Sequence, residues 1–267
     1  MATFDRNGRS ISYGDEGAGP AVVLLHGLLM DRSLWDPNVE ALRDAYRVVT
    51  VEAPGHGDSD PVPVGVTFDD CAADVWALLD GIGVRSAVFG GQSMGGWTSI
   101  RCALSRPAAT RGLILADTSA GPEDPEKVAQ YEAFLQVALT DGISEDLAGI
   151  LLMLLFSEPF AATPAADAWR KKLQGGDPPR FEAIARAVFD RPSIQDRLGE
   201  ISAPAVVIHG TEDLSIPMER AEELAAALNA PLHRIEGAGH ASPHEKPAEV
   251  TPIIRAFLDG LPPADNG

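Results

Sequence analysis

The chain has 267 residues, 45% of them hydrophobic, which is enough apolar material for one large core. Its 21 basic residues against 39 acidic ones give a formal charge of −18 at pH 7, which argues against nucleic acid or an anionic membrane surface as a partner. The two cysteines, Cys71 and Cys102, have no C-x-x-C or metal-ligand spacing and read as small core residues, so no metal or cofactor is expected.

The first residues, 1–6, lack the apolar segment of a secretion signal, and the most apolar run, 150–156, is far too short to cross a bilayer. A cytoplasmic location is expected. Residues 2–5 and 10–13 flank Asn7-Gly8, a turn pair that predicts a hairpin. Strands and helices then alternate. The continuous apolar run 21–25 reads as a buried parallel strand, 33–44 as a helix capped by Ser33, and 47–51 as the next strand. Residues 67–80 form an amphipathic helix capped by Thr67, with Phe68, Cys71, Val75, Leu78 and Leu79 on one face. A strand at 87–89, a helix at 94–105 and a strand at 112–116 follow.

The rhythm breaks between about 120 and 193. No strand is legible there, and Pro122, Pro125, Pro159, Pro164, Pro178 and Pro179 punctuate short helical patterns such as 127–139 and 144–156. Strand and helix patterns return at 205–209, 218–228, 232–235 and 248–258. Alternating βα units imply an α/β protein with a mostly parallel, twisted sheet flanked by helices. The division expected is a core of residues 1–119 and 194–261, a helical cap over 120–193 inserted after the sixth strand, and a frayed tail at 262–267.

Residues 91–95 read Gly-Gln-Ser-Met-Gly, directly after the apolar run 87–90. That spacing places Ser93 on a sharp strand-to-helix turn, with glycines where the backbone passes close to itself. An unassisted serine holds its proton too tightly to attack an ester. His240, in Gly-Ala-Gly-His after the last strand, is positioned to take that proton and return it to the leaving group. Asp213, in His-Gly-Thr-Glu-Asp after a late strand, would orient the imidazole; Asp117, also at a strand end, is the alternative acid. The order Ser–Asp–His suits a parallel-sheet hydrolase. Oxyanion donors are expected from the backbone N–H groups of Met94 and Leu28. His26 and His56 read as structural residues of tight turns.

With HG at 26–27, PGHGDSD at 54–60, GQSMGG at 91–96, HGTED at 209–213 and GAGH at 237–240, the chain resembles the α/β-hydrolase fold superfamily along nearly its whole length. Within it, the chain looks like the small bacterial esterases, enol-lactonases and cofactor-free haloperoxidases; the stretch from His26-Gly27-Leu28 to Trp35-Asp36-Pro37 is similar to the enol-lactonases in particular. Superfamily members that hydrolyse haloalkanes or epoxides carry an aspartate nucleophile, and here that position is Ser93.

The cap should sit above Ser93. Leu28, Leu29, Met94, Leu151, Leu155, Phe156, Phe160, Trp169, Phe189 and Leu214 are candidate pocket residues. No Lys or Arg adjoins the motifs, which favours a neutral, fairly apolar small-molecule ester or lactone. The runner-up is a carbon–carbon hydrolase of diketones, or a lyase, using the same triad; a non-catalytic binding module is a third reading. A homo-oligomer stays open.

Overall fold

The computed structural model describes residues 2–263; Met1 and residues 264–267, the outer part of the tail expected to fray, lie outside the described residues. The hairpin forms as expected. Strands β1 (Ala2–Arg6) and β2 (Arg9–Glu16) pair antiparallel across Asn7 and Gly8, whose φ values of 55° and 83° are those a tight mirror-image turn requires. Strand β3 (Ala21–Leu25) is buried on both faces. Val22 and Leu24 pack into one core layer, and Ala21, Val23 and Leu25 into the other. This two-residue alternation explains why the strand reads as an unbroken apolar run.

The approach to the first helix differs from expectation. Asp31, rather than Ser33, accepts the capping hydrogen bond, from Ser33 N at 2.9 Å, and a short 3-10 turn at Arg32–Trp35 precedes α1 (Asp36–Leu42). An aspartate two residues earlier competes better for the free N–H groups, because its charged oxygen meets the positive end of the turn. Strand β4 (Arg47–Val51) leads to α2 (Phe68–Gly81), which Thr67 and Asp70 open with a reciprocal capping box. Strand β5 (Ala87–Gln92), α3 (Met94–Ser105) and β6 (Thr110–Ala116) complete the first half.

Between β6 and β7 the described residues contain only helices: α4 (Pro125–Asp141), α5 (Glu145–Leu155), α6 (Glu158–Ala161), α7 (Pro164–Gln174) and α8 (Pro178–Phe189). Proline stands in the first turn of α4, α6, α7 and α8, where its missing N–H has no partner to lose. Strand β7 (Ala205–Gly210), α9 (Met218–Ala227), β8 (Leu232–Ile235), α10 (Ser242–Glu245) and α11 (Pro247–Asp259) close the fold. The eight strands form one sheet in the order β1-β2-β4-β3-β5-β6-β7-β8, parallel from β4 onward. Helices α1 and α11 and the cap cover one face, and α2, α3 and α9 the other. Cys71 and Cys102 are buried and unpaired. No helix of the described residues is long and apolar enough to cross a membrane.

Polar contacts tie the cap to the core. Trp169 Nε1 donates to His244 Nε2 at 3.0 Å, and Lys172 Nζ pairs with Asp31 at 2.7 Å and lies 4.3 Å from the Trp169 ring centroid. Ser157, which follows α5, donates through its hydroxyl to Glu245 at 2.6 Å. His244 must be neutral to accept from Trp169, and burial holds its pKa below the usual value despite the Leu34 carbonyl beside it. Replacing Trp169 with Phe removes a buried donor and leaves the His244 nitrogen unpaired. The expected cost is about 1–3 kcal/mol, read as a lower urea midpoint; an unchanged midpoint contradicts a load on this contact.

Candidate active site

Ser93 sits between β5 and α3 at φ 51° and ψ −116°, a backbone conformation that a residue with a side chain adopts only when its surroundings impose it. The imposition is visible. Ser93 N donates to Ala116 O at 3.0 Å, and Ser93 O accepts from Gly96 N at 2.8 Å, Trp97 N at 3.2 Å and Thr118 Oγ1 at 2.8 Å. A Cβ at Gly91 would stand 2.2 Å from the backbone of Gly95, and one at Gly95 would stand 2.2 Å from Leu25 O. Only glycine fits at either place, so the turn draws β5, α3 and the end of β3 together.

His240 and Asp213 meet beside this turn. His240 Nδ1 lies 2.7 Å from Asp213 Oδ2, and the Asp213 side chain is 1% exposed. Asp213 Oδ1 accepts from Ser215 N at 2.8 Å and Ile216 N at 2.9 Å, which fixes the carboxylate toward the ring. Asp117, the alternative acid, is committed elsewhere. Its carboxylate accepts from Gly210 N, Ser242 N and Ser242 Oγ at 2.8–2.9 Å, joining the end of β7 to the turn after His240. Geometry therefore pairs the imidazole with Asp213 and makes Asp117 the brace beneath it. Asp117, His209 and Asp213 stand close enough to share a metal ion, but their carboxylate oxygens already take these N–H and O–H groups. His209 is instead used to hold the loop, through Ile216 O at 2.9 Å.

Burial works against a charged His240, but the charge and hydrogen bond of Asp213, with Asp117 and Glu123 nearby, outweigh it and raise the pKa above 6.5. Its Nε2 is the nitrogen left open, because Nδ1 faces Asp213. No hydrogen bond among the described residues joins Ser93 to His240, although both line one cavity; such contacts commonly tighten only with substrate bound.

The turn after β3 is built with equal care. Leu29 is at φ 64°, and its N–H donates to His56 Nε2 at 3.1 Å. His56 Nδ1 faces Pro54 O at 3.0 Å. Burial, then the neighbouring His26, push the His56 pKa down to about 3, so the ring stays neutral and keeps its acceptor. His26 accepts Ala53 N at 2.9 Å and meets Gly27 O at 2.8 Å. A Cβ on Gly27 would collide with Gln92 Oε1 at 2.1 Å. The backbone N–H groups of Leu28 and Met94 have no protein acceptor among the described residues, whereas that of Leu29 does.

A cavity of about 110 Å³ opens over Ser93 and His240, walled almost entirely by apolar side chains. A family model described as "Alpha/beta hydrolase family" matches residues 22–253. The chain belongs to the alpha/beta hydrolase family. It is 27% identical to 3-oxoadipate enol-lactonase 1 of Acinetobacter baylyi, covering 96% of each chain. It is 30% identical to 2-hydroxy-6-oxononadienedioate/2-hydroxy-6-oxononatrienedioate hydrolase of Burkholderia vietnamiensis, over 93% of this chain and 90% of the relative. Among solved structures, a thermophilic esterase from Thermogutta terrifontis superposes with a TM-score of 0.87 at 30% identity, covering 96% of each chain.

Of the expected pocket residues, Leu28, Leu29, Leu151, Leu155 and Phe189 stand on the cavity wall. Five do not. Met94 is buried and lines a separate space of about 40 Å³ behind the turn. Phe156 stacks on Phe160 with ring centroids 4.8 Å apart and packs beside Trp169, and all three rings turn to His244 instead of the cavity. Leu214 is 59% exposed, because Asp213 turns its own backbone away from the cavity to accept Ser215 and Ile216. Trp97, one helical turn after Ser93, and the stripe Tyr131, Phe134, Leu135 and Ala138 on α4 also line the cavity, though none was expected there from sequence. The i, i+3, i+4, i+7 spacing of that stripe was the available signal.

Proton NMR of the histidines checks the electrostatics. The His240 ring is expected to titrate above 6.5 and the Asp213→Asn variant to titrate lower, while His56 stays neutral down to pH 5. A His240 midpoint below 6.5 contradicts the assigned pairing.

Proposed function

We propose that the protein is a serine hydrolase of carboxylic esters or lactones, with Ser93 as nucleophile, His240 as general base and acid, and Asp213 as the residue that orients the imidazole. The observation that carries this reading is the positive-φ serine on the floor of an apolar cavity it shares with an imidazole already bonded to a buried aspartate. In this reading His240 Nε2 takes the Ser93 proton as Oγ attacks the carbonyl carbon. The resulting oxyanion lies against the Leu28 and Met94 N–H groups, each worth about 3 kcal/mol of transition-state stabilisation. The imidazolium, stabilised by Asp213, gives its proton to the departing alkoxide. A water then repeats the sequence on the acyl-serine and releases the acid. In a lactone the departing hydroxyl stays on the acyl chain throughout, and the second step releases a single hydroxy acid.

Carbon–carbon cleavage is the competing reading, because the Burkholderia relative is named for a dioate substrate. The cavity wall presents no Lys or Arg to a carboxylate, which supports the neutral ester or lactone. A panel of p-nitrophenyl esters, lactones and diketones separates the two, with hydrolysis of the diketones alone counting against the proposal.

Ser93→Ala is expected to lower ester kcat/KM by roughly 10⁵-fold or more with folding retained, and Asp213→Asn by about 10⁴-fold. Activity within tenfold of the parent in Ser93→Ala overturns the mechanism. Because the base must be neutral, kcat/KM is expected to fall about tenfold per pH unit below a midpoint above 6.5.

A further inference from the structure

Apart from Ser93 and His240, the polar side chains on the cavity wall are Tyr131, Ser215 and Glu123. Glu123 is the one carboxylate among them, and its side chain is only 11% exposed. A carboxylate facing apolar walls needs a counter-charge, and Arg191 supplies it. Arg191 Nη1 meets Glu123 Oε2 at 3.0 Å, and the arginine side chain is 3% exposed. The guanidinium is clamped in place: Nε donates to Gly121 O at 3.2 Å, Nη1 also donates to Val188 O at 2.8 Å, and its carbon stands 3.7 Å from the centroid of the Trp97 ring. Trp97, Val188 and Glu123 all belong to the cavity wall, whereas Arg191 lies behind them. Of the other nearby cations, Lys127 spends its ammonium on the Leu214 and Ser215 carbonyls at 3.0 and 2.7 Å, and Arg220 meets Glu223 at 3.6 Å.

We infer that Glu123 sets the substrate charge of this site: it shields Arg191 from the cavity and bars substrates whose lodged portion carries a free carboxylate. The inference rests on the ester or lactone reading and narrows it to substrates without a free carboxylate in the lodged portion. A substrate carboxylate entering this cavity would be desolvated beside Glu123, a like charge, while the cation able to compensate it is already paired behind the wall. With Glu123 neutralised, the same arginine becomes an unpaired buried cation next to the cavity, and the preference should invert.

The test compares substrates of matched length ending in methyl or in carboxylate, both as p-nitrophenyl esters of substituted acids and as acetate esters of substituted alcohols. The readout is the ratio of kcat/KM for the carboxylate to that for the methyl compound. In the wild type it is expected to be below about one tenth. Glu123→Gln is expected to raise it by about tenfold or more, and Glu123→Gln combined with Arg191→Met to leave it between the two, since the attracting cation is then gone. A ratio that changes by less than about twofold in folded Glu123→Gln overturns the assignment. If that variant does not fold, the double variant, which removes both buried charges, is read instead, and a ratio at or below that of the wild type overturns it. Calorimetric binding of hexanoate and hexanol to Ser93→Ala, with and without Glu123→Gln, separates this inference from the reaction assigned above. Inverted binding selectivity in these variants, with no ester turnover by the protein that keeps Ser93, contradicts the hydrolase reading alone, and unchanged binding selectivity contradicts the role of Glu123.

Discussion

The chain passes from β5 to α3 through a serine held at φ 51°, and most of the site follows from that one constraint. A side-chain residue in this region costs about 1–3 kcal/mol, so neighbouring structure has to hold it there. Two features do so. The bare backbones of Gly91 and Gly95 allow an approach that no larger residue tolerates, and four hydrogen bonds converge on the Ser93 peptide groups. The same turn leaves the Met94 N–H free at the start of a helix, where the positive end of the helix dipole also points. The strained backbone, the Ser93 hydroxyl and the open Met94 N–H are thus a single local arrangement.

Around it, buried charges are used as braces. Asp117, with a backbone φ of 47°, receives three donors from the end of β7 and from Ser242 and so fixes the segment that carries His240. Glu245 does comparable work from the other side, accepting Gly239 N at 2.8 Å and the Ser157 hydroxyl at 2.6 Å. The histidine loop is thereby attached to the end of α5 as well as to the sheet. A shift of the end of α5 that releases Ser157 therefore also frees one anchor of the His240 turn. The neutral His56 plays the corresponding part for the Leu28–Leu29 turn, and only a ring stripped of its proton by burial can accept the Leu29 N–H.

The core was legible in the sequence because its signals are local. Buried parallel strands such as 21–25 and 205–208 are apolar runs, and the capping box at Thr67 lies within four residues. Ser93, Asp213 and His240 were legible because each follows a strand end in a short glycine-bearing motif. Asp213 was preferred over Asp117 from sequence, but both are strand-end aspartates and only their three-dimensional partners separate them. The cavity wall was legible only in part for the same reason. Phe156 and Trp169 are as apolar as Leu151 and Leu155, yet one pair faces His244 and the other faces the cavity, a distinction set by how α5 and α7 dock. Glu123 and Arg191 are 68 residues apart, so nothing local announced their pairing.

The central claim is that residue 93 carries the activated nucleophile. Labelling with a fluorophosphonate, which bonds only to a serine activated by a neighbouring base, tests it most directly when followed by peptide mass spectrometry. The account predicts one stoichiometric adduct on the peptide containing Ser93, with the rate of labelling falling as pH drops below the raised pKa of His240. An unlabelled protein, or an adduct mapped to another residue, would contradict it.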